Sequence, residues 1–202
     1  MLKLLGGAGL ALALMAASAA AQDKWNHAGP YAGITAGYST AQLSTPGVDF
    51  ATTGAQGGLY VGYGIVGNSG IYVGIEADAV LKDIKWGVSD AGGNASASND
   101  WVGSLRGRVG QTMGPMLLYV TGGAAVTDTK VTLAGMGSDS ALRYGWVAGA
   151  GIEAQITETV AIRLEGLHYG FPDKVFDFNG VGSEKLGTAE TVARVGLSFK
   201  LN

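Results

Sequence analysis

The sequence predicts an all-β fold: an eight-stranded antiparallel up-and-down transmembrane β-barrel with short periplasmic turns and long extracellular loops. Three observations predict it. Eight segments alternate apolar and polar residues with the period of two that a strand imposes, and every charged residue within them falls on the polar parity. Short and long connections also alternate along the chain, which is typical of barrels that cross the outer membrane.

The stretch Asp100–Gly110 shows the alternation most clearly. Its even positions include Asp100, Arg106 and Arg108, and its odd positions include Trp101 and Leu105. Since alternate side chains of a strand point to opposite faces, the segment has one charged and one apolar face. If the apolar face meets lipid, the charges point into the lumen of a closed barrel.

Seven further segments follow the same rule, and no helical periodicity stands out after Gln22. In chain order the eight predicted strands are Tyr31–Ser39, Gly57–Ile65, Ile71–Val80, Asp100–Gly110, Leu117–Thr127, Ala141–Ile156, Val160–Tyr169 and Glu190–Leu201. The predicted tight turns, which contain turn-forming residues, are Val66–Gly70, Gln111–Pro115 and Thr157–Thr159. The predicted long loops are Thr40–Gln56, Leu81–Asn99, Asp128–Ser140 and Gly170–Ala189.

The charged residues of the strands predict a lumen charge network. A lipid-facing Arg or Lys costs about 2–4 kcal/mol at mid-bilayer, so the charged parity must face inward. The predicted network comprises Glu76, Asp78, Asp100, Arg106, Arg108, Arg143, Glu153, Arg163, Glu165, Glu190, Arg194 and Lys200. For Arg106 and Arg108 the expected partners are Glu76, Asp78, Glu153 and Glu165. Because an eight-stranded barrel is only just wide enough for its own side chains, we expect these charges to pair and fill the lumen. A narrow pore for ions or small solutes is the alternative.

Aromatic residues on the lipid-facing parity predict two girdles at the level of the lipid headgroups. With the N-terminus in the periplasm, the girdle near the long loops contains Tyr38, Trp101, Tyr144 and Trp146. The girdle near the short turns contains Tyr63 and Phe199.

The N-terminal residues predict export. Residues 1–21 have a short basic start, an apolar run from Leu4 to Ala17 and a small-residue end, which together are typical of a cleaved signal peptide. Residues 22–202 then form one barrel domain. The net charge of −3 gives no basic footprint for nucleic acid, and the absence of cysteine excludes thiol catalysis and thiolate metal sites.

No motif predicts catalytic, cofactor-binding or metal-binding residues. The stretch from Gly62 to Gly67 and the stretch from Gly149 to Ala154 match dinucleotide-binding glycine patterns, but neither opens a helix. A lipid-A-modifying barrel enzyme would pair a histidine with a serine, and neither His27 nor His168 has a serine in strand register. This enzyme ranks below the narrow pore as an alternative, and a soluble secreted barrel ranks below both.

Four segments resemble the small outer-membrane β-barrel proteins of the OmpA type, and among these the immunogenic, opacity-type "porin family" branch. They are Trp101–Gly110, Leu117–Gly123, Gly145–Glu153 and Val192–Phe199. The resemblance covers the whole mature chain and implies an eight-stranded barrel in the outer membrane of a Gram-negative cell. The C-terminus departs from the family pattern. Such proteins usually end on an aromatic residue, whereas here Phe199 is followed by Lys200, Leu201 and Asn202.

The role that the resemblance implies is structural or surface-interacting, through adhesion or immune recognition. The expected partners are outer-membrane lipids and lipopolysaccharide, the outer-membrane assembly machinery, and host or surface ligands that reach the long loops. No nucleic acid and no cofactor is expected.

Cleavage of the signal peptide is directly testable. We expect the exported protein to begin at Gln22, because the small residues that end at Ala21 suit a signal peptidase. Edman sequencing of protein extracted from outer membranes checks the cleavage site, and a retained Met1 would contradict it.

Overall fold

Eight antiparallel strands form one closed sheet. The computed structural model describes residues 27–45, 48–90, 93–133, 137–177 and 183–201. The strands are β1 (Gly29–Thr45), β2 (Val48–Val66), β3 (Ile71–Asp90), β4 (Gly93–Met113), β5 (Met116–Leu133), β6 (Gly137–Gln155), β7 (Val160–Asp177) and β8 (Ser183–Lys200). Each pairs with its neighbours in sequence, and β8 returns to β1. The predicted eight-stranded up-and-down barrel is therefore confirmed.

None of the described residues belongs to a helix long and apolar enough to span a membrane.

The register of the ladders sets the tilt of the strands. Starting at Thr53 on β2, one can step from each residue to its paired residue on the next strand. One turn around the barrel returns to β2 at Tyr63, so the stagger of the closed sheet is ten residues (63 − 53). With about 3.3 Å per residue and about 4.8 Å between strands, this stagger gives a tilt of about 40° and a backbone radius of about 8 Å. Each residue then advances about 2.5 Å along the barrel axis.

The alternation of side chains places the apolar set outside and the charged set inside. Leu59, Val61 and Val120 are 64%, 56% and 61% exposed, whereas Arg106 and Glu165 are 1% and 2% exposed. This is the inverse of a water-soluble protein, which rarely exposes a large continuous apolar surface.

The strands are longer than predicted. Most of the residues predicted as long loops continue the strands as hairpin arms, so the prediction of loops is wrong for most of these four stretches. On the first arm Leu43 pairs with Phe50, and on the second Trp86 pairs with Ala97. Outside the membrane neither face of the sheet has to be apolar. The sequence of the arms therefore does not alternate apolar and polar residues, and alternation could not predict these strand extensions. At the opposite end the connections are the tight turns at residues 67–70, 114–115 and 156–159.

The hairpin arms separate into two sheets. Among the described residues, the β2–β3 ladder ends at Gln56↔Lys82 and the β6–β7 ladder ends at Trp146↔Gly170, while the other six ladders continue outward. One extension therefore contains β3, β4, β5 and β6, and the other contains β7, β8, β1 and β2. We call these the two distal sheets.

Several luminal tyrosines lie over glycines of the neighbouring strand. A Cβ atom at Gly62 would lie 2.3 Å from the hydroxyl oxygen of Tyr31, and one at Gly33 would lie 2.2 Å from the ring of Tyr60. Glycine at these positions leaves space for an aromatic ring that lies against the barrel wall.

Substitution of Gly62 tests this packing. We expect Gly62→Ala to lower the free energy of unfolding by about 1–3 kcal/mol, because the methyl group overlaps the Tyr31 ring. Gly166→Ala is the matched control, since a Cβ there meets nothing within 4 Å. Urea unfolding in lipid vesicles measures both, and equal stability of the two variants would contradict the packing.

Candidate functional site: the luminal charge network

Four arginines and four carboxylates meet at the barrel axis. These eight side chains, which we call the luminal network, are Glu76 and Asp78 of β3, Arg106 and Arg108 of β4, Glu153 of β6, Arg163 and Glu165 of β7, and Arg194 of β8. Each is at most 7% exposed. The network is electrically balanced, which matters because a buried charge is tolerated chiefly when it is paired.

Arg163 is the centre of one half of the network. Its Nη1 donates to Oε2 of Glu76 at 2.7 Å, while its Nη2 and Nε donate to Oε2 of Glu153 at 2.8 and 2.9 Å. Glu76 also accepts from Arg106 Nη2, and Arg108 Nη1 lies 3.3 Å from its Oε2. One guanidinium thereby links carboxylates of β3 and β6 across the lumen.

Arg106 joins the second half to the first. Its Nη2 lies 2.8 Å from Oδ2 of Asp78, and its Nη1 lies 3.4 Å from Oε1 of Glu165. Arg194 donates to Oε2 of Glu165 from Nε at 2.8 Å, and its Nη2 also lies 2.8 Å from that oxygen. The charges therefore form one continuous system rather than isolated pairs.

Tyrosines surround the arginines. The guanidinium carbon of Arg108 lies 3.7 Å from the ring centroid of Tyr119, and that of Arg163 lies 4.2 Å from the centroid of Tyr60. The Tyr31 hydroxyl donates to Oε2 of Glu76 at 2.9 Å and accepts from Arg108 at 2.8 Å. Sequence reasoning did not include these tyrosines, although Tyr60 and Tyr119 share the parity of the charged residues.

The remaining predicted network residues lie elsewhere. Glu190 is buried nearer the distal sheets and pairs with Lys82. Arg143 is also buried there and donates to the carbonyl oxygen of Pro172 at 3.2 Å. Lys200 is half-buried at the opposite end, and the side chain of Asp100 lies outside the described residues.

Lys82 corrects one sequence prediction. It was placed in a loop, but it lies on β3 with its side chain in the lumen, 9% exposed, beside Glu190. The prediction failed because the predicted strand ended at Val80, whereas β3 continues to Asp90.

Glu153 lies between His27 and a buried serine, and His168 lies outside the lumen. His27 Nδ1 lies 3.2 Å from Oε1 of Glu153, and Ser198 Oγ donates to Oε2 of the same carboxylate at 3.0 Å. The carboxylate thus separates Ser198 from His27. His168 faces outward, where its Nδ1 lies 3.1 Å from the hydroxyl oxygen of Thr191. Within the described ranges, no three His, Asp or Glu side chains are grouped as metal ligands.

The predicted interface aromatics lie on the outer surface. Their exposed fractions are 70% for Tyr38, 54% for Tyr63, 74% for Tyr144, 50% for Trp146 and 41% for Phe199, and Trp101 is half-buried. Along β4, Trp101 and Met113 are separated by about 30 Å of barrel axis, similar to the height of a bilayer's apolar band.

Comparison with known proteins identifies the family. Residues 9–199 match the family model described as "Outer membrane protein beta-barrel domain". The chain belongs to this family. Its exposed apolar band therefore meets lipid, and this outer-membrane β-barrel protein resides in the outer membrane of a Gram-negative cell.

Two curated relatives are outer-membrane proteins by name. The chain is 32% identical over 164 residues to the 22 kDa outer membrane protein of Rhizobium leguminosarum bv. viciae. This match covers 81% of this chain and 74% of the relative. The chain is also 32% identical over 184 residues to the 25 kDa outer-membrane immunogenic protein of Brucella canis, covering 90% and 81%.

Solved structures share the fold at low identity. Neisserial surface protein A matches with a TM-score of 0.52 and 13% identity, covering 84% of this chain and 97% of that one. The outer membrane protease OmpT of Escherichia coli matches with a TM-score of 0.51 and 8% identity, covering 85% and 96%. These likenesses concern the barrel fold alone.

Removal of the central arginine tests the network. We expect Arg163→Met to lower the free energy of unfolding by about 3–5 kcal/mol, because it leaves Glu76 and Glu153 less compensated in a buried position. Glu158→Gln, in an exposed turn, is the control and should change stability by less than about 0.5 kcal/mol. Urea titration in lipid vesicles distinguishes them, and a loss below about 1 kcal/mol for Arg163→Met would contradict the account.

Proposed function

We propose that this outer-membrane β-barrel protein is a closed element of the outer membrane with a structural and surface-interacting role. The observation that carries the proposal is the position of Arg163, which is 2% exposed and pairs with carboxylates of β3 and β6. The charges of the lumen fill it and bind one another, so they do not form a lining for passing ions.

The energetic cost of opening supports a closed lumen. An ion that crosses the barrel has to separate Arg163 from Glu76 or Glu153, and each guanidinium also contacts other members of the network. Breaking a buried pair on one side costs about 3–5 kcal/mol, because the partner is left uncompensated in a poorly hydrated place. Several pairs have to break together for steady conduction.

The distal sheets support a role at the cell surface. Four hairpin arms extend beyond the aromatic girdle near the long loops, so their backbone would lie outside the membrane. Relatives from Brucella are named outer-membrane immunogenic proteins, and the hairpin arms of this chain would be open to external macromolecules. Lipopolysaccharide beside the girdle is the expected lipid neighbour, and the outer-membrane assembly machinery is the expected partner during insertion.

We further propose that the protein is not an enzyme. Ser198 is 1% exposed and donates its hydroxyl hydrogen to Glu153, so neither access nor activation favours attack on a lipid. Purified protein should therefore release no acyl chain from lipopolysaccharide.

A narrow pore is the second candidate, and one observation favours it. Above the luminal network, the buried atoms Ser39 Oγ, Gln56 Oε1 and Glu190 Oε1 have no hydrogen-bond partner among the described residues. Polar atoms of this kind commonly bind buried water, so the end of the lumen near the distal sheets would be hydrated. The luminal network lies below this region. The water would therefore fill a vestibule at one end of the barrel, and it would form a channel only if the network opened.

Planar-bilayer recording decides between the two candidates. We expect no steady conductance from the wild-type protein, because the luminal network blocks the axis. The double variant Arg106→Ala/Arg163→Ala should conduct, since it removes two of the largest side chains that fill the lumen.

The control for this recording is Glu158→Gln, which alters an exposed turn and should stay closed. Steady, ion-selective conductance of the wild-type protein would refute the closed lumen and establish the pore.

A further inference from the structure

The two distal sheets expose four strand edges. Beyond the last pairs of the β2–β3 and β6–β7 ladders, four stretches pair on one side only within the described residues. They are residues 48–55 of β2, 84–90 of β3, 137–145 of β6, and 171–177 of β7 apart from its bulged positions 172 and 173. A strand edge of this kind presents a row of backbone N–H and C=O groups that another strand can bind.

The separation of the sheets has local causes in the chain. The register of β3 with β4 shifts between Leu81 and Ile84, directly above the last β2–β3 pair, and the register of β7 with β8 shifts between Phe171 and Lys174, directly above the last β6–β7 pair. Such bulges bend and twist a strand away from its neighbour. At the second opening Pro172 also lacks an N–H, and Arg143 occupies its carbonyl oxygen.

Three of the four edges carry features that oppose pairing with a foreign strand. The β7 edge contains Pro172 and the charged residues Asp173, Lys174 and Asp177, and the β3 edge contains Asp83, Lys85 and Asp90. The β6 edge contains Asp139 and Arg143. Proline, bulges and charged residues are the usual protection of natural strand edges.

The β2 edge lacks this protection. Its sequence from Val48 to Ala55 reads Val-Asp-Phe-Ala-Thr-Thr-Gly-Ala, with one charged residue, Asp49, and with no proline or lysine. Its own ladder with β1 is regular along its whole length. The edge is therefore straight enough to bind a strand and contains little that would repel one.

We propose that the β2 edge, Val48–Ala55, binds an extended segment of another polypeptide by strand addition. This inference rests on the proposed surface-interacting role. Eight residues span about 26 Å, and about half of their N–H and C=O groups face away from β1. Affinity in this mode comes from the main chain, so the partner is recognised by an extended, largely uncharged backbone rather than by one specific side chain.

A second copy in the same membrane does not fit this edge. Copies inserted in one direction are related by a two-fold axis along the membrane normal, whereas antiparallel pairing of two identical edges needs a two-fold axis perpendicular to the sheet. The wall of the barrel runs across the membrane, so that axis would lie in the membrane plane. Antiparallel pairing between copies in one membrane is thereby excluded, and the proposed occupant is a strand of a different polypeptide that approaches from outside the cell.

The test uses the full-length protein in nanodiscs of dimyristoylphosphatidylcholine. The probe is a fluorescein-labelled octapeptide of alternating threonine and valine, and its control is the same peptide with alternate amides N-methylated. We expect the first peptide to bind and the second to bind at least about tenfold more weakly, because methylation removes backbone donors and leaves the side chains unchanged.

Amide hydrogen exchange locates the binding edge. With the peptide present, alternate amides of residues 48–55 should exchange at least about tenfold more slowly, while amides of residues 171–177 should not change. Equal binding of both peptides, or protection confined to the β3, β6 or β7 edge, would overturn the inference. Protection of the β2 edge by added lipopolysaccharide but not by the peptide would also overturn it, in favour of a lipid occupant.

Two neighbouring proline variants keep the test independent of folding. The N–H groups of adjacent residues in a strand point to opposite sides. Of Thr52 and Thr53, one N–H therefore faces β1 and the other faces the free edge. The proline variant at the second position removes a donor from the free edge and leaves the ladder with β1 intact. That variant should keep the wild-type unfolding midpoint and lose peptide binding by at least about tenfold. Val175→Pro, on the β7 edge, is the matched control and should bind the peptide as the wild type does.

Failure of this inference and failure of the proposed function give different results. If no peptide or variant effect is seen while the wild-type barrel stays closed in planar bilayers, the β2 edge is not a strand-binding site and the closed barrel stands. If the barrel conducts but the edge binds the peptide as described, the closed lumen alone is refuted.

Discussion

Charge compensation in a narrow lumen is the constraint on which the rest of the barrel depends. Closure with a ten-residue stagger leaves a backbone cylinder of about 8 Å radius, and the side chains that point into it have to replace the core of a water-soluble protein. Those side chains include four arginines and four carboxylates. Their mutual hydrogen bonds are what make an ionised interior tolerable, because a single unpaired charge there costs several kcal/mol.

The packing around the network follows from this constraint. Planar tyrosine rings cover the guanidinium faces of Arg108 and Arg163. A hydroxyl or amide group could bind only the N–H groups at the edge of a guanidinium and would leave its face uncovered. The rings in turn need space along the wall, and glycines at positions such as Gly33 and Gly62 provide it. The high glycine content of the strands is thus partly a consequence of filling the lumen with large planar side chains.

Alternation in the sequence was sufficient to predict the eight strands, their order and the inward direction of the charges. It failed where the physical reason for alternation ends. Lys82 lies just past the apparent end of β3, and its pairing with Glu190 depends on ladders that residue pattern does not encode. The tyrosines share the parity of the charged set, yet only coordinates show that Tyr119 stacks on Arg108. The separation into two distal sheets likewise begins where the β2–β3 and β6–β7 ladders end, and the alternation of residues does not reveal the bulges that accompany those ends.

A double-mutant cycle between Arg163 and Glu153 tests the central claim most directly. The free energies of unfolding of the wild type, Arg163→Met, Glu153→Gln and the double variant would be measured in lipid vesicles. The account predicts a coupling energy of at least about 1.5 kcal/mol, because each single change leaves its partner buried and uncompensated. A coupling energy below about 0.5 kcal/mol would contradict it and indicate that the lumen is hydrated enough for the two charges to act independently.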